Sequence, residues 1–158
     1  GFNREFASEE WKFIQTKLWD DAFEEAEDLA NYDQALDIIA SDIDHKLIDI
    51  SKQNALEAGL GDLINFKQMQ AADLSIKDPN GYIITNPPYG ERLKDADYVH
   101  YLYETFGQVM KEHPSWSVYV LTAYKKFEQA YGKKATKRRK LFNGFIEVQY
   151  YQYFGKWE

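Results

Sequence analysis

Asn86-Pro87-Pro88-Tyr89 follows directly on the apolar run Tyr82-Ile83-Ile84-Thr85. Two successive prolines cannot continue a helix or donate to a strand ladder, so a strand must stop here and turn rigidly. The turn presents an amide, bare carbonyls and an aromatic ring at the carboxyl end of a strand, where open α/β sheets bind ligands. A planar group with an exocyclic amine needs those features: acceptors for its N–H bonds and a face to stack on. Read alone, the tetrapeptide is equally a proline-rich turn with no ligand.

The elements that would position this turn follow from periodicity. Ser8 before Glu9-Glu10 reads as a capped helix start with early acids facing the positive end of the dipole. Trp11, Ile14, Leu18, Ala22, Ala26 and Leu29 continue at helical spacing, with a break expected near Gln15-Thr16. Leu36 to Ser41 reads as a short buried strand ending at Asp42. A helix from about Asp44 to Ala58, apolar at Leu47 and Ile50, closes on Gly59. Leu63 to Gln70 and Tyr82 to Asn86 are further strands. Ala96 to Glu112 is helical, with Val99, Leu102, Phe106 and Val109 or Met110 on one face. Trp116 to Thr122 is a fourth strand and Tyr124 to Tyr131 a short helix. The tail pairs Thr136–Phe142 with Phe145–Phe154 around the turn signal Asn143-Gly144. Strands alternating with helices imply an α/β fold with a mostly parallel, doubly wound sheet, and the tail adds a C-terminal antiparallel hairpin.

Composition bounds the function. The 158 residues, 44% hydrophobic and 28% charged, suit one globular domain with a real core. No run reaches the roughly 20 apolar residues of a membrane span, so no membrane partner is expected. The absence of cysteine excludes disulfides and thiolate zinc sites, and a cytoplasmic location is expected. His45, His100 and His113 stand among polar neighbours and read as solvated surface residues, so no metal is expected. The net charge of −7 hides segregation. Asp20, Asp21, Glu24, Glu25, Glu27 and Asp28 make the early part acidic. Lys125-Lys126, Lys133-Lys134 and Lys137-Arg138-Arg139-Lys140 make a late stretch basic. That stretch is either a nucleic-acid contact or an edge strand guarded by lysines.

The continuation Gly90-Glu91-Arg92-Leu93 extends the turn to an eight-residue motif. Thr85 to Leu93 resembles the catalytic loop of S-adenosylmethionine-dependent amino-methyltransferases. The Gly-Glu-Arg-Leu extension resembles in particular the bacterial family that methylates guanine N2 in 23S ribosomal RNA. Enzymes acting on adenine N6 of DNA or on glutamine side chains share the four-residue core with other continuations. The resemblance implies a Rossmann-like S-adenosylmethionine methyltransferase fold from its second strand onward. It implies that the Asn86 side-chain oxygen and the Pro87 carbonyl accept the two hydrogens of the amine, beside the cofactor's sulfonium methyl. Pro88 stiffens the turn and Tyr89 stacks on the base.

The same resemblance implies the cofactor contacts. Asp42 can accept from both ribose hydroxyls, as in the dinucleotide fold, while Asp44 is assigned the helix cap. Ile43 would lie against the adenine ring. Where such enzymes usually place an Asp for the adenine amino group, this chain has Gln70, whose bond lacks charge assistance. Ala71 would donate its N–H to a ring nitrogen, and Asp73 either replaces Gln70 or ends a turn. Lys133, Lys134, Lys137, Arg138 and Arg139 are then the expected ribosomal RNA contacts.

The family's glycine-rich cofactor loop, an Asp-Pro-x-Cys-Gly-Ser-Gly-Thr type segment, does not occur, and Gly1 through Trp11 match the family sequence beyond it. Residues 1–158 are therefore expected to be part of a catalytic domain, with that loop and an amino-terminal RNA-binding module outside them. The missing first strand is expected between the strands ending at Asp42 and Asn86, supplied by the rest of the protein or a second chain. Alone, the piece is expected to bind cofactor weakly and to be inactive. A non-catalytic RNA-binding domain is the alternative from another class.

Overall fold

The computed structural model describes residues 6–31, 34–90 and 96–156. Residues 91–95, which include most of the Gly-Glu-Arg-Leu extension, lie outside the described residues, as do residues 1–5. The chain divides into two compact units, Gly1–Gln68 and Met69–Glu158.

The first unit is built around a parallel β-α-β crossover. Strand β1 (Ile38–Asp42) pairs with β2 (Ile64–Gln68), from Ile38 opposite Ile64 to Asp42 opposite Gln68. Helix α2 (His45–Glu57) connects them and buries Ile48 and Ala55. Leu47 and Ile50, the expected apolar positions, are exposed. The expected start at Ser8 is a 3-10 turn, Ala7–Glu10, in which the Phe6 N–H donates to Glu9 Oε1 at 2.9 Å. The chain breaks where expected, and helix α1 runs over Thr16–Asp28 with Gln15 before it. None of its described residues is buried.

The second unit is a four-stranded sheet in the order β3-β4-β6-β5. Strand β3 (Tyr82–Thr85) runs parallel to β4 (Ser117–Thr122), and β6 (Ile146–Tyr153) lies antiparallel between β4 and β5 (Lys137–Asn143). Helices α3 (Ala96–Lys111) and α4 (Phe127–Tyr131) cover one face. Val99, Tyr103, Phe106 and Met110 of α3 meet Val118, Val120, Phe127, Tyr131, Tyr151 and Tyr153 there. Tyr103, not Leu102, therefore leads the buried stripe. The ring of Phe127 packs edge-on to Tyr103 at 4.9 Å and tilted against Tyr151 at 4.7 Å. Gly107 lets α3 and α4 meet closely, since a Cβ there would strike the Tyr131 carbonyl.

The α/β class and the parallel-then-antiparallel order match the sequence reading. The hairpin turn is displaced by one residue. Asn143 pairs with Ile146, so Gly144-Phe145 form the loop, with Gly144 at φ +61°. That is glycine at the first central position, a type II′-like arrangement. Strand β2 stops at Gln68, short of Gln70, and α4 begins at Phe127, past Tyr124. His100 is half-buried, not solvated, with Nδ1 3.0 Å from the Tyr124 hydroxyl.

Candidate active site

Strand β3 ends at Thr85 and hands the chain to Asn86-Pro87-Pro88-Tyr89. Gly90 follows at φ +71°, a left-handed conformation that any side chain would strain, and a Cβ there would press on Val99 at 3.3 Å. The turn is held from below. Tyr103, 1% exposed on α3, donates its hydroxyl proton to the Pro88 carbonyl at 2.9 Å. The same oxygen lies 2.8 Å from Thr122 Oγ1 at the end of β4. Tyr103 has one proton and gives it to Pro88, so Thr122 donates to Tyr103. Thr122 in turn accepts the Tyr124 N–H at 3.1 Å. Burial pushes the Tyr103 phenol up to about 12, which keeps it a proton donor. Sequence reading missed both residues. The helical stripe read through Val99 favoured Leu102 over Tyr103, and nothing local tied the Tyr103 hydroxyl to a loop fifteen residues earlier.

Asn86 is exposed and Tyr89 half-buried. The Tyr89 hydroxyl donates to Asn86 Oδ1 at 2.8 Å, and Asn143 Nδ2 donates to the Tyr89 hydroxyl at 3.3 Å. The oxygen expected to receive an amine hydrogen is thus engaged by the neighbouring tyrosine. Asn86 also borders a cavity of about 420 Å³ walled by Ile84, Thr85, Leu121, Leu141 and Tyr150. Its lining is mostly apolar, and Asn86 is one of its polar members. A flat, partly apolar group with one edge of N–H donors suits that combination.

Of the expected cofactor contacts, Asp42 and Ile43 lie in the first unit, and Gln70 and Ala71 in the second. Asp42 Oδ1 accepts the Asp44 N–H at 2.8 Å, and Asp44 Oδ1 accepts the Lys46 N–H at 2.9 Å. Asp44 is therefore the cap of α2. Asp42 fixes the strand-to-helix turn with one oxygen, and the other has no hydrogen-bond partner among the described residues. Ile43 is 53% exposed, with its carbonyl held by Gln68 Nε2 at 3.1 Å. The Gln70 side chain is exposed, and its carbonyl accepts the Asp73 N–H at 3.0 Å to close a 3-10 turn, Ala71–Asp73. Within the first unit, the open oxygen of Asp42 and the exposed side chain of Ile43 are an acceptor and an apolar face of the kinds a nucleoside can use.

The basic stretch divides by strand alternation. Lys137, Arg139, Leu141 and Asn143 share one face of β5, that of the cavity wall and of Tyr150, which lies opposite Arg139. Arg138 and Lys140 point the other way. Arg138 pairs with Glu128 at 3.2 Å and Lys140 with Glu147 at 2.7 Å. The second oxygen of Glu128 accepts the Ala135 N–H at 2.7 Å, so Arg138 ties the hairpin to α4. Lys133 lies over the Tyr153 ring at 5.9 Å, and Lys134 is exposed. Among the described residues no helix is long and apolar enough to cross a membrane, and no cluster of His, Asp and Glu could hold a metal ion.

A family model described as RMKL-like, methyltransferase domain, matches residues 1–152. "Putative RNA methyltransferase YpsC" of Bacillus subtilis (strain 168) is 56% identical over 156 residues, 99% of this chain and 40% of its own length. "Ribosomal RNA large subunit methyltransferase K/L" of Shewanella sp. (strain ANA-3) is 36% identical over 152 residues, 94% of this chain and 21% of its own length. The chain thus spans two fifths or less of these relatives. Two crystal structures resemble it closely. One, of SMU.472, is described as "a putative methyltransferase complexed with SAH", with TM-score 0.86 and 42% identity over 100% of this chain and 42% of that one. The other, from Listeria monocytogenes, is described as "a predicted N6-adenine-specific DNA methylase", with TM-score 0.82 and 58% identity over 99% of this chain and 40% of that one.

Proposed function

We propose that this chain, which belongs to the family of RMKL-like methyltransferase domains, carries the amine-holding part of an enzyme that methylates N2 of a guanine in 23S ribosomal RNA. The methyl donor is S-adenosylmethionine, which supplies an electrophilic methyl group on a sulfonium. Asp42, Ile43, Gln70 and Ala71 would hold its nucleoside, and Asn86 would stand beside it. The observation that carries the reading is Asn86, exposed and lining a mostly apolar cavity at the carboxyl end of β3.

The exocyclic amine of guanine is nearly planar and a poor nucleophile, because its lone pair is delocalised into the ring. Two oxygens accepting its hydrogens raise the electron density on nitrogen and favour the positive charge that develops there. Asn86 Oδ1 and the Pro87 carbonyl fill that role, with Pro88 anchored through its own carbonyl to Tyr103. The incoming amine replaces the Tyr89 hydroxyl on Asn86 Oδ1, and the freed ring lies against the base. Once methylated, the nitrogen is acidic enough to lose its proton to water, so no strong general base is required.

The relatives' names support RNA as the substrate class. Adenine N6 in DNA is the second reading, favoured by the description of the Listeria structure. Strands β1 and β3 each pair on one edge only among the described residues. An unpaired strand edge is costly in a core, so we propose that a further strand, from the rest of the protein or a second chain, completes both. On that reading the 158 residues alone do not turn over. The test is tritiated methyl transfer by the full-length protein to 23S RNA from a strain lacking its gene, to DNA and to protein. Label in the RNA is expected. Label in DNA or protein alone, or in none, would overturn the reading.

A further inference from the structure

The hairpin of β5 and β6 ends in a side chain that its own folding does not require. A two-residue loop with glycine at its first central position has no need of an apolar partner at the second, where small polar residues serve. Here that residue is Phe145, and its side chain is wholly exposed. Two residues earlier, Asn143 donates to the Tyr89 hydroxyl. The tip therefore stands beside the turn that holds Asn86. Along the same face of β5, Leu141 walls the Asn86 cavity, and Arg139 and Lys137 follow, without an ion pair among the described residues.

We propose that Phe145 is a wedge for structured RNA, filling the place in the base stack vacated by the nucleotide that enters the Asn86–Tyr89 site. The inference rests on the function proposed above. A base inside a helix must leave its stack before an enzyme can reach its exocyclic group. Apolar side chains inserted between base steps hold such a gap open. Lys137 and Arg139, on the side of the cavity, supply the charge that seats the phosphate backbone while Phe145 enters. A phenyl ring stacks on any neighbouring base, so the wedge adds affinity for a folded target without choosing its sequence.

The test uses the full-length protein with Phe145→Ala and Phe145→Trp. Each is assayed on undermodified 23S RNA and on a short single strand spanning the labelled nucleotide. Calorimetric affinity for S-adenosylhomocysteine and the melting temperature check the fold. On folded RNA, Phe145→Ala is expected to lower kcat/KM roughly tenfold. On the single strand it should match wild type, because nothing there has to be unstacked. Phe145→Trp should keep activity on both. An equal loss on both substrates, or none on folded RNA, would overturn the proposal. So would a lowered melting temperature or a changed oligomeric state in Phe145→Ala, which would assign the ring to a protein contact. A wild type that labels no RNA would remove the functional reading and the wedge together. A wild type that labels RNA beside an indifferent Phe145→Ala would remove the wedge alone.

Discussion

Asn86 keeps its side-chain oxygen under the hydroxyl of Tyr89, and this contact divides the work of the two residues. On the function proposed above, the oxygen is surrendered to the amine, and the ring is used only after the hydroxyl lets go. Asn86→Ala should therefore lower kcat by about 10²–10³-fold, the usual cost of deleting one preorganised hydrogen-bonding group. RNA affinity, measured by filter binding, should not change. Tyr89→Phe should keep the ring and retain activity, while Tyr89→Ala should lose about 1–3 kcal/mol of stacking and show it in KM. Tyr103→Phe tests the support beneath the turn. The Tyr103 phenol is raised from 10.0 to about 12, so the folded chain holds that proton more tightly than the unfolded one. Its contribution is complete below pH 10 and is lost as pH rises toward 12. Thermal unfolding across that range should be less alkali-sensitive in Tyr103→Phe than in wild type. At this scale Asn86 through Tyr89 were legible because two prolines dictate a turn locally. Tyr103, Thr122 and Asn143 were not, because only the tertiary fold brings their hydroxyls and amide to the turn.

Elements hold the turn in place through packing that small residues permit. Helix α3 can support Pro88 only while it lies close on α4, and Gly107 sets that approach. Gly107→Ala would force backbone apart and should cost about 1–3 kcal/mol or more, measured as a lower urea midpoint. Methyl transfer should fall with it, because Tyr103 rides on the same helix. The strands and helices themselves were readable from periodicity, including the break before α1 and the cap at Asp44. The misplaced hairpin turn has a specific cause. Asn-Gly suggests a loop centred on both residues, but pairing Asn143 with Ile146 keeps Val148 and Tyr150 in register with Leu141 and Arg139. Cross-strand register overrode the local signal, and it left Phe145 in the loop.

For the whole molecule, charge and strand edges matter more than any single contact. The net charge of −7 would argue against nucleic acid, yet Lys137 and Arg139 stand on the side of the Asn86 cavity while Arg138 is tied to Glu128. Lys137→Ala with Arg139→Ala should weaken RNA binding for all sequences and reduce the salt dependence of log K by about one per contact. Arg138→Ala should leave that slope unchanged and loosen the hairpin instead. Alternation within one strand could have separated these residues in the sequence, had the register been known. The most direct test of the central claim is the identity of the methylated nucleoside, read by mass spectrometry after the full-length enzyme has labelled undermodified 23S RNA and the RNA has been digested. N2-methylguanosine, absent with Asn86→Ala, is the expected product; N6-methyladenosine, or a ring-nitrogen methylation, would contradict the account.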